Sequence, residues 1–480
     1  MGNRRPKPRL AAWRLTPTRA KKQAQPRYGG AKETKRSGTS AQQSELLIVP
    51  AKPGNPRPRG LGGGKEQPGC RTEGGKDVRD EAYRRTRKDG APGVDRQSAV
   101  EFASDLEANL QGLVEGLKGG SYRPPPVRRT YVPKGNGQGR PIGIPTFADK
   151  VMQRAVAMLL EAIYEPGFHP HSYGFRPGRS AHGALKELQR RPTYWHFCRV
   201  IEADIEGFFD ALDPKVLRSF LDQRVRDGVV RRAIDKWLRA GVMEDGVLRR
   251  VEAGTPQGGV ISPLLANIYL HHVLDAWFDH EVCPRLRPRA QLIRYADDFV
   301  LLFGWEEDAR RVYRVLPKRF ARYGLTLHPD KTRLLPFTQP DRVRDGEPDP
   351  GSFVFLGFTH YWGRSRKGRY VVKQKTAAAR FSRTLKRVKE QCRRMMHWRL
   401  RDQHQRLCRM LRGHYNYFGI TGNGDALGRL RHEVERLWGR ALARRNGRRF
   451  AWQRFVPLLQ RYPLPAAHAL HSVCPSEPTV

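Results

Sequence analysis

The chain has 480 residues, with 90 Lys+Arg against 47 Asp+Glu and a formal net charge of +43; that length allows about three domains. A charge of this size calls for a polyanionic partner, nucleic acid before an anionic membrane surface, because each neutralised phosphate releases condensed counterions. Hydrophobic content of 38% excludes wholesale disorder, and no apolar run approaches the roughly 18 residues of a transmembrane helix.

Residues 1–75 carry 17 Lys/Arg against four Glu and are rich in Pro and Gly. They read as a basic, mostly disordered arm able to lie along nucleic acid, or as a solvated tail. Order is expected from about Val78. Ala99, Phe102, Leu106 and Leu110 recur at helical spacing, and a second helix is expected from about Asp149 to Tyr164 on a stripe of Val151, Ala155, Met158, Leu159 and Ile163. Between about 197 and 360 short apolar runs alternate with helices, as in an α+β domain on an antiparallel sheet. After Thr376 the pattern is helical and basic, with a net charge of +15 over residues 376–449. Phe381, Leu385, Val388 and Cys392 form one apolar stripe there, and Leu407, Leu411, Tyr415 and Phe418 another, leaving arginine on the opposite faces.

The cysteines (Cys70, Cys198, Cys283, Cys392, Cys408, Cys474) are scattered without a C-x-x-C pair, which argues against a disulfide framework and a cysteine zinc site. Leu10-Ala11-Ala12-Trp13 is too short for a secretory signal, so a reduced, cytoplasmic setting is expected.

The chemistry concentrates in two strands. In Gln291–Phe303, apolar strand-formers flank Tyr295-Ala296-Asp297-Asp298, a hairpin with paired carboxylates at its tip. Adjacent aspartates among apolar strands are costly unless a cation neutralises them. A second run, Arg199–Ala203, ends in Asp204. Carboxylates from separate strands are what two-metal phosphoryl transfer requires, and hard oxygen donors suit two Mg²⁺ ions.

Asp204 with Phe208-Phe209, then Thr255-Pro256-Gln257-Gly258-Gly259, then Tyr295-Ala296-Asp297-Asp298 follow the motif order of a reverse transcriptase. The chain resembles the group II intron-encoded reverse transcriptase/maturases over about residues 80–465. Gly139-Arg140-Pro141-Ile142-Gly143-Ile144-Pro145 and Ser172–Ser180 resemble that family's finger motifs. Phe355–Trp362 resembles the approach to the thumb, and Leu411–Gly419 the maturase region. The resemblance implies an α+β right-hand polymerase of fingers, palm and thumb with an antiparallel palm sheet and a helical maturase region. Its expected divisions are the arm (1–75), a finger extension (76–125), fingers and palm (126–360), thumb and RNA-binding region (361–465) and a tail (466–480).

The same resemblance implies the roles. Asp204, Asp297 and Asp298 are the catalytic acids and, with Ile205, the metal-holding set. Lys134 and Arg140 close over a deoxynucleoside triphosphate; Phe209 lies under its sugar and excludes a 2′-hydroxyl, or is a core phenylalanine. Gln257 reaches the minor groove of the nascent pair, its neighbouring glycines allowing close backbone approach. Lys331 is either a proton donor to pyrophosphate or a salt-bridged surface lysine, and His360 and His414 are read as structural or RNA-contacting. Arg393, Arg394, Arg444 and Arg445 are expected to meet RNA phosphates. Past Phe450 only Cys474 remains of the paired cysteines that a family endonuclease needs, so second-strand cleavage is not expected. The function implied is RNA-directed DNA synthesis on a DNA primer or target, with binding of group II intron RNA to assist splicing and mobility. The alternatives are an intron-independent reverse transcriptase in repair or phage defence and a non-catalytic splicing factor. No membrane partner is expected, and the oligomeric state is left open.

Overall fold

Two short apolar strands set the centre of the molecule. In the computed structural model, which describes residues 73–133, 139–244, 247–249, 258–343, 349–447 and 449–472, Arg199–Ala203 and Asp298–Phe303 pair antiparallel, Ala203 opposite Phe299. Ala290–Tyr295 and Arg333–Pro336 complete a four-stranded antiparallel sheet with Arg333–Pro336 and Ala290–Tyr295 at its edges. Successive side chains of a strand point to opposite faces, and here both faces are covered. Phe299, Leu301 and Phe303 enter one core with Ile201 and Ala203, while Val300 and Leu302 enter a second with Val200 and Ile293. A strand buried on both sides must be apolar throughout rather than alternating, which explains the run Phe299–Phe303.

The first core is closed by helices Phe147–Tyr164, Pro214–Asp222, Gly228–Arg239, Ser262–Leu270 and Glu306–Ala321. Several begin on side-chain caps: Asp213 Oδ1 accepts from Lys215 N at 2.7 Å, and Asp227 Oδ1 from Val229 N at 2.8 Å. The second core is closed by helix Ala181–Tyr194 and by a three-stranded sheet of Phe353–Phe355, Phe358–Arg364 and Tyr370–Thr376. A further sheet joins Val127–Pro133 to Gly139–Ile144 antiparallel and to Val242–Glu244 in parallel. The parallel pair is possible because the long helical connection between these strands provides the crossover that parallel pairing needs.

Beyond Thr376 come helices Ala378–Arg394, Leu400–Phe418, Gly424–Arg445 and Trp452–Arg461. They share a separate core in which Val388, Cys392, Leu407, Leu411, Tyr415 and Trp438 are buried. The two expected stripes thus supply this core, with Phe381, Leu385 and Phe418 packed at its margin. Trp438 is fully buried, and its indole N–H donates to Gln403 Oε1 at 2.9 Å.

Two expectations on helices need amendment. The stripe from Ala99 to Leu110 is not one helix: Ala99–Ala103, started by a capping box of Ser98 and Glu101, ends before Leu106–Lys118 begins. Helix Phe147–Tyr164 is not buried along one stripe. Val151 packs with Phe102 and Leu110 in an N-terminal cluster, whereas Val156, Leu160 and Tyr164 enter the first core. It is held between two cores, so its buried positions exceed a single face. Residues 1–72, with the expected arm, lie outside the described residues, as do Lys134 and Gln257. Among the described residues no helix is long and apolar enough to cross a membrane.

Candidate active site

Tyr295 pairs with Asp298, so the hairpin turns through only two residues, Ala296 and Asp297. Ala296 has φ +57°, a left-handed conformation that costs a non-glycine residue about 1 kcal/mol or more. The surroundings impose it. Arg294, on the strand just before the turn, is fully buried and donates from Nη1 to the Ala296 carbonyl at 3.0 Å. The same guanidinium grips Asp275 with both arms, Nε to Oδ1 at 2.8 Å and Nη2 to Oδ2 at 2.6 Å. Its Nη1 also donates to Asn267 Oδ1 at 2.9 Å. Asn267 passes the constraint on, donating from Nδ2 to the Gly174 carbonyl at 2.7 Å. Gly174 presses so closely on the turn that a methyl there would lie 2.3 Å from the Ala296 nitrogen. Only glycine fits.

Asp275 reaches Arg294 because helix Ser262–Leu270 does not continue as an ordinary α-helix. Residues His271–Asp275 form a π-helical turn, which shifts the phase of the side chains that follow. Sequence reasoning misses Arg294, Asp275, Asn267 and Gly174 as a group. The one available signal is an arginine inside an apolar strand, which must find a carboxylate if the strand is buried.

The strand register, Ala203 opposite Phe299, continues to set Asp204 beside Asp298. Asp298 is half-buried, and its carboxyl is pushed up to about 7. Burial is the main cause, followed by the charges of Asp204 and Asp297; a hydrogen bond from the Leu356 backbone N–H opposes them. Lys331 Nζ meets Asp204 Oδ2 at 2.5 Å, matching the salt-bridged reading of that lysine. The side chain of Ile205 is buried in the first core, so only its backbone carbonyl can offer an oxygen. Among the described residues no three His, Cys, Asp or Glu side chains are gathered as a ready metal cage. The donor set nevertheless suits a hard divalent cation: the side chains offer carboxylate oxygens alone, and burial with neighbouring charge makes one of them resist ionisation.

Phe209 is half-buried against the first core, 5.4 Å from the buried Phe208 ring. Arg140 lies in strand Gly139–Ile144 opposite Val132. The residue after Gln257, Gly258, has φ +116°, and a methyl there would fall 2.4 Å from the Gly143 carbonyl, which ties that turn to the strand carrying Arg140. Gln153 Oε1 accepts from Val260 N at 2.8 Å and fixes the exit of the same loop. Arg393, Arg394, Arg444 and Arg445 are all exposed on the C-terminal helices. Glu433 and Glu435 are paired with Arg436 and Arg431 rather than with these four. His360 is buried and stacked on Phe353 at 4.9 Å, and burial drives it down to about 3. His414 is stacked on Phe418 at 4.5 Å and driven down to about 4. Both are neutral ring partners.

Removing one member of a buried ion pair leaves the other charge stranded. Arg294→Met is therefore expected to lower unfolding free energy by about 3–5 kcal/mol in denaturant titrations, and the double variant Arg294→Met/Asp275→Leu to regain most of it. Equal losses in the single and double variants would contradict the pairing.

Residues 132–360 match the family described as reverse transcriptase (RNA-dependent DNA polymerase). Protein YkfC of Escherichia coli (strain K12) is 34% identical over 313 residues, covering 58% of this chain and 77% of that protein. The group II intron-encoded protein LtrA of Lactococcus lactis subsp. cremoris is 43% identical over 191 residues, 38% of this chain and 31% of that one. Nuclear intron maturase 2, mitochondrial, of Arabidopsis thaliana is 33% identical over 81 residues, 17% of this chain and 11% of that one. The chain thus spans most of YkfC but under a third of LtrA. Its motif order, its acidic hairpin and these matches agree: the chain belongs to the group II intron-encoded reverse transcriptase/maturase family.

Proposed function

We propose that the protein is an RNA-directed DNA polymerase that also binds group II intron RNA, assisting its splicing and target-primed mobility. The carrying observation is the trio Asp204, Asp297 and Asp298 on adjoining strand ends, with the Asp298 carboxyl raised by burial and by its acidic neighbours. In this reading residues 126–360 form the fingers and palm, and 361–465 the thumb and RNA-binding helices of a right-hand polymerase.

Two Mg²⁺ ions held by Asp204, Asp297, Asp298 and the Ile205 carbonyl would supply charge at the primer 3′-oxygen and at the departing pyrophosphate. The chain's own residues do the positioning. Lys134 and Arg140 neutralise the deoxynucleoside triphosphate, and the Phe209 ring fills the space that a 2′-hydroxyl would need. Gln257 holds the new pair from its minor-groove side. Lys331, now on Asp204, is displaced from that carboxylate whenever a cation takes its place. The clamp on Ala296 keeps the acidic turn from relaxing when its charge changes, which favours positioned over mobile ligands.

Replacing Asp297 with Asn removes one negative charge and leaves shape nearly unchanged. Mg²⁺-dependent primer extension on an RNA template is expected to fall at least about a hundredfold, with RNA affinity within a factor of about two, since binding draws on arginines elsewhere. A variant extending at more than about a tenth of the wild-type rate, a change of only 1.4 kcal/mol, would contradict the assignment.

Charge reversal at Arg393, Arg394, Arg444 and Arg445 tests the RNA-binding helices. Each lost phosphate contact should reduce the log–log salt slope of RNA binding by roughly 0.7 to 0.9. Arg445 also donates to the Trp398 carbonyl at 3.3 Å, so part of its effect is structural and fewer than four contacts should vanish. Extension of a short annealed primer should fall much less than splicing assistance. An unchanged slope would mean that this surface only solubilises the chain.

A further inference from the structure

Arg445 borders a feature of the C-terminal helices to which none of the roles above is assigned. A cavity of about 720 Å³ opens between the start of helix Leu400–Phe418, the end of helix Gly424–Arg445 and helix Trp452–Arg461. Leu442, Phe450, Phe455, Leu458 and Tyr462 give it an apolar, ring-lined floor. The Phe450 ring is fixed by the backbone beneath it: a methyl on Gly439 would lie 2.3 Å from Phe450 Cε2. It also meets Phe455 edge-on at 6.0 Å. The rim is cationic, formed by Arg399, Arg401, Arg445, Arg449 and Arg454, all exposed. Among the described residues no carboxylate lines the cavity; of the acids on helix Gly424–Arg445, Asp425 lies in its first turn, far along the helix from this end, and Glu433 and Glu435 pair with Arg436 and Arg431. Trp398 and Trp452 stand exposed on the adjoining segments.

We propose that this cavity receives one unstacked nucleobase of an RNA strand while the flanking phosphates lie on the arginine rim. The inference rests on the reading of these helices as RNA-binding and adds what they select: a bulged or looped strand over a continuous duplex. The volume falls in the roughly 300–1,000 Å³ range of pockets that enclose a small ligand. A duplex keeps its bases stacked and offers such a surface phosphates and ribose hydroxyls but no free ring face, so the floor would stay empty. A splayed base fills it, stacking on aromatic rings and on guanidinium planes. Arginine suits both tasks, since its planar fork donates to phosphate and its face stacks. Polyglutamate could engage the rim but has no flat ring for the floor.

The test uses the full chain and two RNA hairpins at matched salt, one fully paired and one identical but for a single extrahelical adenosine. The bulged hairpin is expected to bind about tenfold more tightly. Leu458→Trp and, separately, Ala443→Phe fill the cavity without changing charge, and each should bring the bulged hairpin to the affinity of the paired one. Equal affinities in the wild-type protein would overturn the inference whether or not either variant folds. So would a preference that survives in both filled variants, or polyglutamate displacing the bulged hairpin as effectively as single-stranded RNA of equal charge. If the paired hairpin binds with a steep salt slope and the bulge adds nothing, the pocket falls while RNA binding stands. If neither hairpin binds, the RNA-binding reading itself fails.

Discussion

The buried ion pair of Arg294 and Asp275 is the constraint on which the acidic site depends. Both side chains are fully shut from solvent, a placement that costs several kcal/mol per ion unless the geometry and the remaining hydrogen bonds are nearly ideal. Here they are: both carboxylate oxygens are taken, and the spare guanidinium nitrogen is shared between Asn267 and the Ala296 carbonyl. Through one side chain, the helix ending in a π-turn and the Ser172–Gly174 segment are fastened to the two-residue turn that carries Asp297. Because Asp275 neutralises it, Arg294 clamps the turn through a carbonyl without serving as counterion to the acids. The Asp298 carboxyl is raised by burial and by the charges of Asp204 and Asp297.

The rest of the molecule divides around this point. The central sheet separates two cores, one closed by helices and one by a helix and a three-stranded sheet. Acid is gathered at the strand ends of a chain whose net charge is +43. In the proposed reading, the positive charge of the whole chain draws a polyanion to the protein, while the local acids would need a divalent cation between them and a phosphate. The C-terminal helices keep their own core, with Trp438 and Gln403 at its centre, and leave their arginines outward. In them, apolar burial and the arginine surface occupy opposite faces of the same elements.

Much of this was legible in the sequence. The runs ending in Asp204 and opening at Asp298 are apolar enough to announce strands, and the helical stripes after Thr376 announce their core. The linkages were not legible. Arg294 looks like an ordinary strand cation, and its partner lies nineteen residues earlier in a helix whose phase only a π-turn explains. Gly174 reads as one more loop glycine until the Ala296 nitrogen is placed beside it. Gln153 lies on the helix that two cores share, where a single-stripe reading fails because burial exceeds one face. The break between Ala103 and Leu106 was hidden for a similar reason: apolar spacing continues across it, and only the caps mark the ends.

The central claim is that the buried pair matters for where the acids sit, beyond how well the chain folds. The most direct measurement is the single-turnover rate of Mg²⁺-dependent primer extension by the double variant Arg294→Met/Asp275→Leu, with enzyme in excess and RNA affinity measured alongside. With both charges gone the fold has no stranded ion, but the Ala296 carbonyl has lost its donor and the left-handed turn is free to relax. The account predicts a rate lowered by at least about tenfold, equivalent to 1.4 kcal/mol, at unchanged RNA affinity. A folded double variant that extends primers at the wild-type rate would contradict it.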